Sequence, residues 1–207
     1  MHTRKEMTMS HLILGVNGSP HPAGATAKLL NAVLEGARFA GGETEVLHLY
    51  DLRINPTEGL YSINPNLETV ANMPDDDMKA LYKKIQRAAG IVFATPNYWA
   101  LMSGPMKTFI DRLTPLENEY KLTGKIAAFI AVSKENQGGT EFAAISMLIP
   151  IVQMGFIIPP FSVLWYPSDA QQAQGTKETC WAFNDAPFVG RNMVKLAERI
   201  ADMKWFS

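Results

Sequence analysis

The stretch LILGVNGSPHPAGATAKLL, residues 12–30, decides the fold. An apolar run, residues 12–16, empties into Asn17-Gly18-Ser19-Pro20. From Thr26 onward Leu29, Leu30, Val33, Leu34 and Ala37 recur at helical spacing. The reading is a buried strand, a polar loop of small residues, and a helix. Ser19 and Thr26 offer hydroxyls, while Gly24 and Ala25 leave backbone N–H groups uncovered. The helix N-terminus adds a partial positive charge, so the loop can cradle an anion without a lysine. The plain alternative is a hydroxyl cap on an ordinary helix. The loop is neither a Walker loop nor a G-x-G-x-x-G turn, since the lysine and the glycine spacing are both missing.

The same alternation continues outward. Gly41-Gly42 stop the first helix, and residues 45–49 read as strand two. Residues 51–73 are rich in Asn, Pro and Gly with no period, a length that inside a domain is usually functional. Pro74-Asp75-Asp76-Asp77 opens a helix to about Ala88, its acids placed toward the positive helix end. Residues 91–94 and 125–132 are strands three and four, with a helix over 104–113 between them. A helix over 139–154 follows. Strand five is expected over 156–163, bent at Pro159-Pro160, and a last helix over 184–203. Repeated strand–helix units imply an α/β fold with a parallel sheet. Solid apolar strands imply helices on both faces.

The totals limit the possibilities. The chain has 207 residues, 47% of them apolar, which suits one packed domain over 11–207 behind a loose lead over 1–10. Net charge is -1, without the basic excess of a nucleic-acid binder. One cysteine, Cys180, excludes an internal disulfide framework and fits a reducing, cytoplasmic setting. The N-terminus has no apolar stretch of the kind that signals secretion. Residues 145–166 carry no charge, but Pro150, Gly155, Pro159 and Pro160 interrupt them, so no membrane span is expected.

Open parallel sheets bind ligands beyond the carboxyl ends of their strands. After strand three comes Thr95-Pro96-Asn97-Tyr98-Trp99-Ala100-Leu101-Met102-Ser103-Gly104, with two large aromatics that either pack on the protein or line a flat ligand. After strand four, Gly138-Gly139 lets backbone approach a ring closely. A phosphate cradle, an aromatic loop and a glycine loop on one edge describe a site for a mononucleotide with a planar ring.

GSPHPAGATAKLL resembles the GSPR…GNTAKLL loop of the NAD(P)H-dependent FMN reductases and related flavodoxin-like quinone reductases. TPNYWALMSGPMKTFIDRL is similar to their TPxYxxxxSGxxKxFIDR segment. The resemblance covers roughly residues 12–158. It implies a flavodoxin-like three-layer fold, sheet order 2-1-3-4-5, FMN as cofactor and NAD(P)H as co-substrate. By the resemblance, Ser19, His21, Gly24, Ala25 and Thr26 hold the phosphate. Pro96, Asn97, Tyr98, Trp99 and Ala100 flank the isoalloxazine, and Ser133, Gly138 and Gly139 meet its pyrimidine end. His21 stands where the family has Arg, and Ala25 where it has Asn, each a lost polar contact to the phosphate. The loop over 51–73 lacks the cysteines that iron–sulfur relatives carry there, so no cluster is inferred.

The implied activity is transfer of hydride equivalents to a quinone, flavin or similar small acceptor, by a homodimer or homotetramer. The chemistry belongs to the cofactor, and no catalytic acid or base is required. A one-electron carrier is the alternative, against which the near-zero charge argues. A flavin-free binding module on the same fold is the third reading. His2, His11 and His48 show no metal-ligand spacing and read as structural or surface residues. Lys107 and Asp111 are expected to pair on a helix surface, with Arg112 as support or subunit contact. Met102 and Met106 either fill core or shape the pocket. Trp165, Tyr166 and Trp181 are placed to cover a neighbouring subunit's flavin, and Cys180 reads as packed.

Overall fold

The computed structural model describes residues 11–57, 74–134, 138–167 and 181–205. The elements run β1 (Leu12–Asn17), α1 (Ala25–Phe39), β2 (Glu43–His48), α2 (Met78–Arg87), β3 (Gly90–Pro96), α3 (Gly104–Asp111), α4 (Thr114–Asn118), β4 (Ile126–Ser133), α5 (Thr140–Gln153), β5 (Val163–Pro167) and α6 (Trp181–Ile200). A short 3-10 turn, Leu49–Asp51, follows β2. The five strands form one parallel sheet in the order β2-β1-β3-β4-β5. This is the flavodoxin-like order that the resemblance implied.

The apolar strands bury both faces, as continuous apolar runs require. On one face Leu14, Val16, Ile91 and Phe93 pack with α2, α3 and α5, and Phe93 stacks on Phe129 at 5.8 Å. On the other, Ile13, Val92, Ala94 and Ile130 pack under α1 and α6. Those two helices meet backbone to backbone. A Cβ on Gly190 would lie 1.9 Å from the Val33 carbonyl, and one on Gly36 would lie 2.1 Å from the Pro187 carbonyl. Only glycine permits that approach.

Two elements differ from the sequence expectation. Residues 156–162 are not strand. Ile157 makes only an isolated bridge to Ile126, and the ladder resumes at Val163. Pro159 and Pro160 lack N–H donors, and Phe161 adopts a positive φ of 62°, so no regular ladder can run through them. The helix expected over 104–113 ends at Asp111, and α4 restarts at Thr114 with Pro115 in its first turn.

Asp76 lies at the start of α2 as expected, its Oδ1 accepting from Met78 N–H at 3.1 Å. The structure adds a partner that the sequence did not announce. The Asp76 carboxylate lies fully buried against Arg112, with N–O distances of 2.6 and 2.9 Å. Arg112 also donates to the Asn55 carbonyl at 2.6 Å, and its own carbonyl accepts from Tyr82 Oη at 2.9 Å. Asn55 N–H donates back to Asp76, and Arg53 N–H donates to Asp77, each at 2.7 Å. The ion pair holds Asn55, and hydrogen bonds between Arg53 and Asp77 complete the tie between 53–55 and 76–77. Lys107 and Asp111 form the expected surface pair.

Burial alone would raise the Asp76 carboxyl. The Arg112 guanidinium and the Asn55 and Met78 N–H groups outweigh burial and hold it below the usual carboxylate range. With a lowered folded value, the pair's contribution is full above about pH 4 and is lost as pH falls through the folded value. Asp76→Asn leaves a buried guanidinium uncompensated. It is expected to cost about 3–5 kcal/mol in urea unfolding at pH 7, with the deficit shrinking toward pH 3.

Candidate functional site

The carboxyl ends of β1, β3 and β4 lie side by side, and their three loops meet above them. In the first loop most polar groups are committed within the protein. Gly18 N–H donates to the Ala94 carbonyl at 2.7 Å, and Ser19 N–H to Asn17 Oδ1 at 3.0 Å. His21 N–H donates to Ser19 Oγ at 3.2 Å, and Gly24 N–H to the His21 carbonyl at 3.0 Å. The chain thus curls into a compact turn ahead of α1. Gly24 is the N-cap and brings no side chain to the first-turn donors. Among the described residues, no group accepts from the N–H groups of Ala25, Thr26 or Ala27. Three aligned donors at a helix start, with Thr26 buried beside them, suit a phosphate monoester. His21 is exposed at the rim.

The second loop is a tight turn of unusual composition. Tyr98 and Leu101 exchange N–H···O bonds of 3.0 and 3.1 Å around Trp99 and Ala100. Trp99 and Ala100 have φ of 55° and 64°, the type I′ geometry that normally selects Asn and Gly. Asn97 steadies it, its Oδ1 accepting from Ala100 N–H at 2.9 Å and its N–H donating to Val132 at 2.8 Å. Trp99 is 98% exposed and Tyr98 also stands open, so neither packs into the core. A strained turn that holds a tryptophan in solvent marks a contact surface.

The third loop touches the second. Gly139 has φ of 82°, and a Cβ there would sit 3.0 Å from the Ala100 Cβ. Ser133 and Thr140, both buried, share a hydroxyl–hydroxyl bond of 2.8 Å that closes the base of this loop. Gly138 is exposed beside Gly139. The residues implied by the resemblance therefore lie on these three loops or at the element ends that flank them, Pro96 and Ser133 closing β3 and β4 and Ala25 and Thr26 opening α1. Residues 19–26 run from the first loop into α1, and the others cluster after β3 and β4.

Sequence reasoning missed the residue that joins them. Ser103 Oγ donates to the Gly18 carbonyl at 2.8 Å and accepts from Met106 N–H at 3.4 Å as the α3 N-cap. Ser103 N–H donates to Thr95 Oγ1 at 2.9 Å. Its signal was present, a serine two residues before Pro105 at a helix start. Met106 is fully buried under Gly18 and is core, while Met102 is half-buried.

Tyr166 is a correction. It is buried in the core with its ring 5.5 Å from Phe183, and so is not placed to reach a neighbouring flavin. Trp165 and Trp181 meet edge to face at 4.8 Å and stay half-exposed. Cys180 lies outside the described residues, as does His2. To one side, a cavity of about 250 Å³ opens between the turn after β2 and the start of α3, lined by Leu49, Tyr50, Leu52, Ile54, Pro105 and Thr108. Burial, followed by contact with the Tyr98 hydroxyl, pushes the Tyr50 phenol up.

Ser103→Ala removes a buried hydroxyl with partners on two loops. It is expected to lower stability by about 1–3 kcal/mol and to weaken FMN binding, read by thermal melting and by flavin fluorescence titration.

The profile of the NADPH-dependent FMN reductase family matches residues 12–167. An NAD(P)H dehydrogenase (quinone) of Archaeoglobus fulgidus is 31% identical over 183 residues, covering 86% of this chain and 93% of its own. An iron–sulfur flavoprotein of the same organism is 27% identical over 202 residues, covering 93% of this chain and 98% of its own. The crystal structure of RosB with a bound 8-demethyl-8-formylriboflavin-5'-phosphate intermediate superposes with a TM-score of 0.74 over 94% of this chain and 81% of that chain, at 18% identity, a likeness of fold. Among the described residues no helix is long and apolar enough to cross a membrane. With the family profile matched over most of its length, the chain belongs to the NADPH-dependent FMN reductase family and is an oxidoreductase with FMN as cofactor and NAD(P)H as co-substrate.

Proposed function

We propose that this enzyme passes hydride equivalents from NAD(P)H to a quinone, flavin or similar small acceptor. The observation that carries the reading is the unclaimed first turn of α1 beside a tryptophan turn that Gly139 abuts. When bound, FMN supplies the ability to take up and release hydride. The protein's part is placement. The Ala25, Thr26 and Ala27 N–H groups anchor the phosphate, and the helix dipole serves in place of the arginine that His21 replaces. Tyr98 and Trp99 bound the ring on one side, and the Gly138–Gly139 backbone approaches its polar end. The relative named as a quinone dehydrogenase supports a quinone among the acceptors. Other relatives are named iron–sulfur flavoproteins, but one cysteine in 207 residues cannot supply four thiolates, and no cluster step belongs to this reading. Use of NAD(P)H and a single cysteine support a cytoplasmic setting.

The enzyme acts as a homodimer in this reading. Phe142, Ile145, Ile149 and Val152 stand exposed on one face of α5. The Met102 N–H bond to Ser146 Oγ, 3.2 Å, joins that face to the turn carrying exposed Trp99 and Leu101. These apolar side chains suit a second copy better than a charged partner.

FMN-loaded protein titrated anaerobically with NADPH is expected to lose its flavin absorbance and to regain it on adding a quinone. Protein that takes up no FMN would overturn the reading. In sedimentation the wild type is expected as a dimer and Ile149→Glu as a folded monomer. A monomeric wild type removes the dimer.

A further inference from the structure

Asn17 is the last residue of β1, fully buried, and directly opposite His48 in the β1–β2 ladder. Its side-chain amide has two neighbours. Oδ1 accepts from Ser19 N–H at 3.0 Å, and Nδ2 lies 3.1 Å from His48 Nδ1. Donor and acceptor logic orients both groups. A backbone N–H can only donate, so the amide oxygen faces Ser19 and the NH₂ faces the imidazole. His48 Nδ1 must then be the bare, accepting nitrogen, with the ring proton on Nε2.

The relay continues into the anion loop. Asn17 holds the Ser19 peptide, and Ser19 Oγ in turn accepts from His21 N–H at 3.2 Å. Gly24 N–H closes onto the His21 carbonyl at 3.0 Å, immediately ahead of the unclaimed donors of α1. Without an acceptor at position 48, the buried NH₂ of Asn17 has no partner, and an amide that rotates to find one releases Ser19.

We propose that His48 is a positioning residue for the phosphate loop, acting through Asn17 on Ser19 from a strand that does not itself carry the loop. The ligand side of this inference rests on the FMN reading, but the relay itself does not.

The experiment separates the two. Amide exchange at Ser19, measured on the protein before FMN is added, reads the relay alone. His48→Phe keeps a ring and removes the acceptor. It is expected to speed Ser19 exchange roughly tenfold while amides of β4 stay protected. His48→Asn sets an amide oxygen near the Nδ1 position and is expected to restore the wild-type rate within about twofold. FMN titration of the same proteins should show the dissociation constant raised roughly tenfold in His48→Phe and restored in His48→Asn. In an Asn17→Ala background, His48→Phe should add nothing further. Ser19 exchange and FMN affinity unchanged in His48→Phe would overturn the proposal, as would failure of His48→Asn to restore them. If His48→Phe does not fold, the Asn17→Ala and His48→Asn proteins decide the matter by the same two readouts. A wild type that binds no FMN, with Ser19 exchange responding as expected, would sink the FMN reading and leave the relay standing.

Discussion

Ser103 Oγ donates to the Gly18 carbonyl across 2.8 Å, while a Cβ on Gly18 would lie 2.9 Å from that same oxygen. The contact leaves no room to adjust. It sets the separation between the loop that ends β1 and the helix start that follows the tryptophan turn. Everything proposed for the site depends on that spacing, since one loop would anchor a phosphate and the other a ring. Met106, wedged below Gly18, and Thr95, bonded to the Ser103 N–H, make the contact part of the core. The site is therefore rigid at its base and exposed at its rim, where Trp99 and His21 stand in solvent.

The Arg112–Asp76 pair plays the corresponding part for the edge of the sheet near β2. A fully buried ion pair is costly to desolvate and adds little net stability, yet breaking one half is severe. Here it draws Asn55 and Asp76 onto Arg112, the residue that caps the end of α3. The same α3 begins at Ser103, so the stem of the loop after β2 and the two site loops share one support.

Much of this was readable in the sequence, for reasons that differ from element to element. The strands were legible because strands covered on both faces are solid apolar runs, and β4 is buried throughout. Strand five was misplaced because apolar content continues through Phe156 to Val163, whereas hydrogen bonding stops at Pro159 and Pro160. Asp76 was legible as an acid at a helix start, but its ion pair was not, since nothing local announces a guanidinium 36 residues away. Tyr166 was misassigned because β5 alternates faces, and only the register shows which face looks inward.

The sequence by itself determined which residue types reach the carboxyl edge of the sheet. Strand, loop and helix succession is a local property of apolar period and punctuation, and it delivers Ser19, Thr26, Tyr98, Trp99 and Gly139 to one edge once the fold is parallel. Only the tertiary structure decided which polar groups remain free. The N–H groups of Gly18, Ser19, His21 and Gly24 are claimed by neighbours, whereas among the described residues nothing accepts from those of Ala25, Thr26 and Ala27. That division depends on pairs such as Asn17 with His48 and Ser103 with Gly18, separated by 31 and 85 residues. Hydrogen bonds of that span exist only after the chain has packed, so no local pattern can encode them.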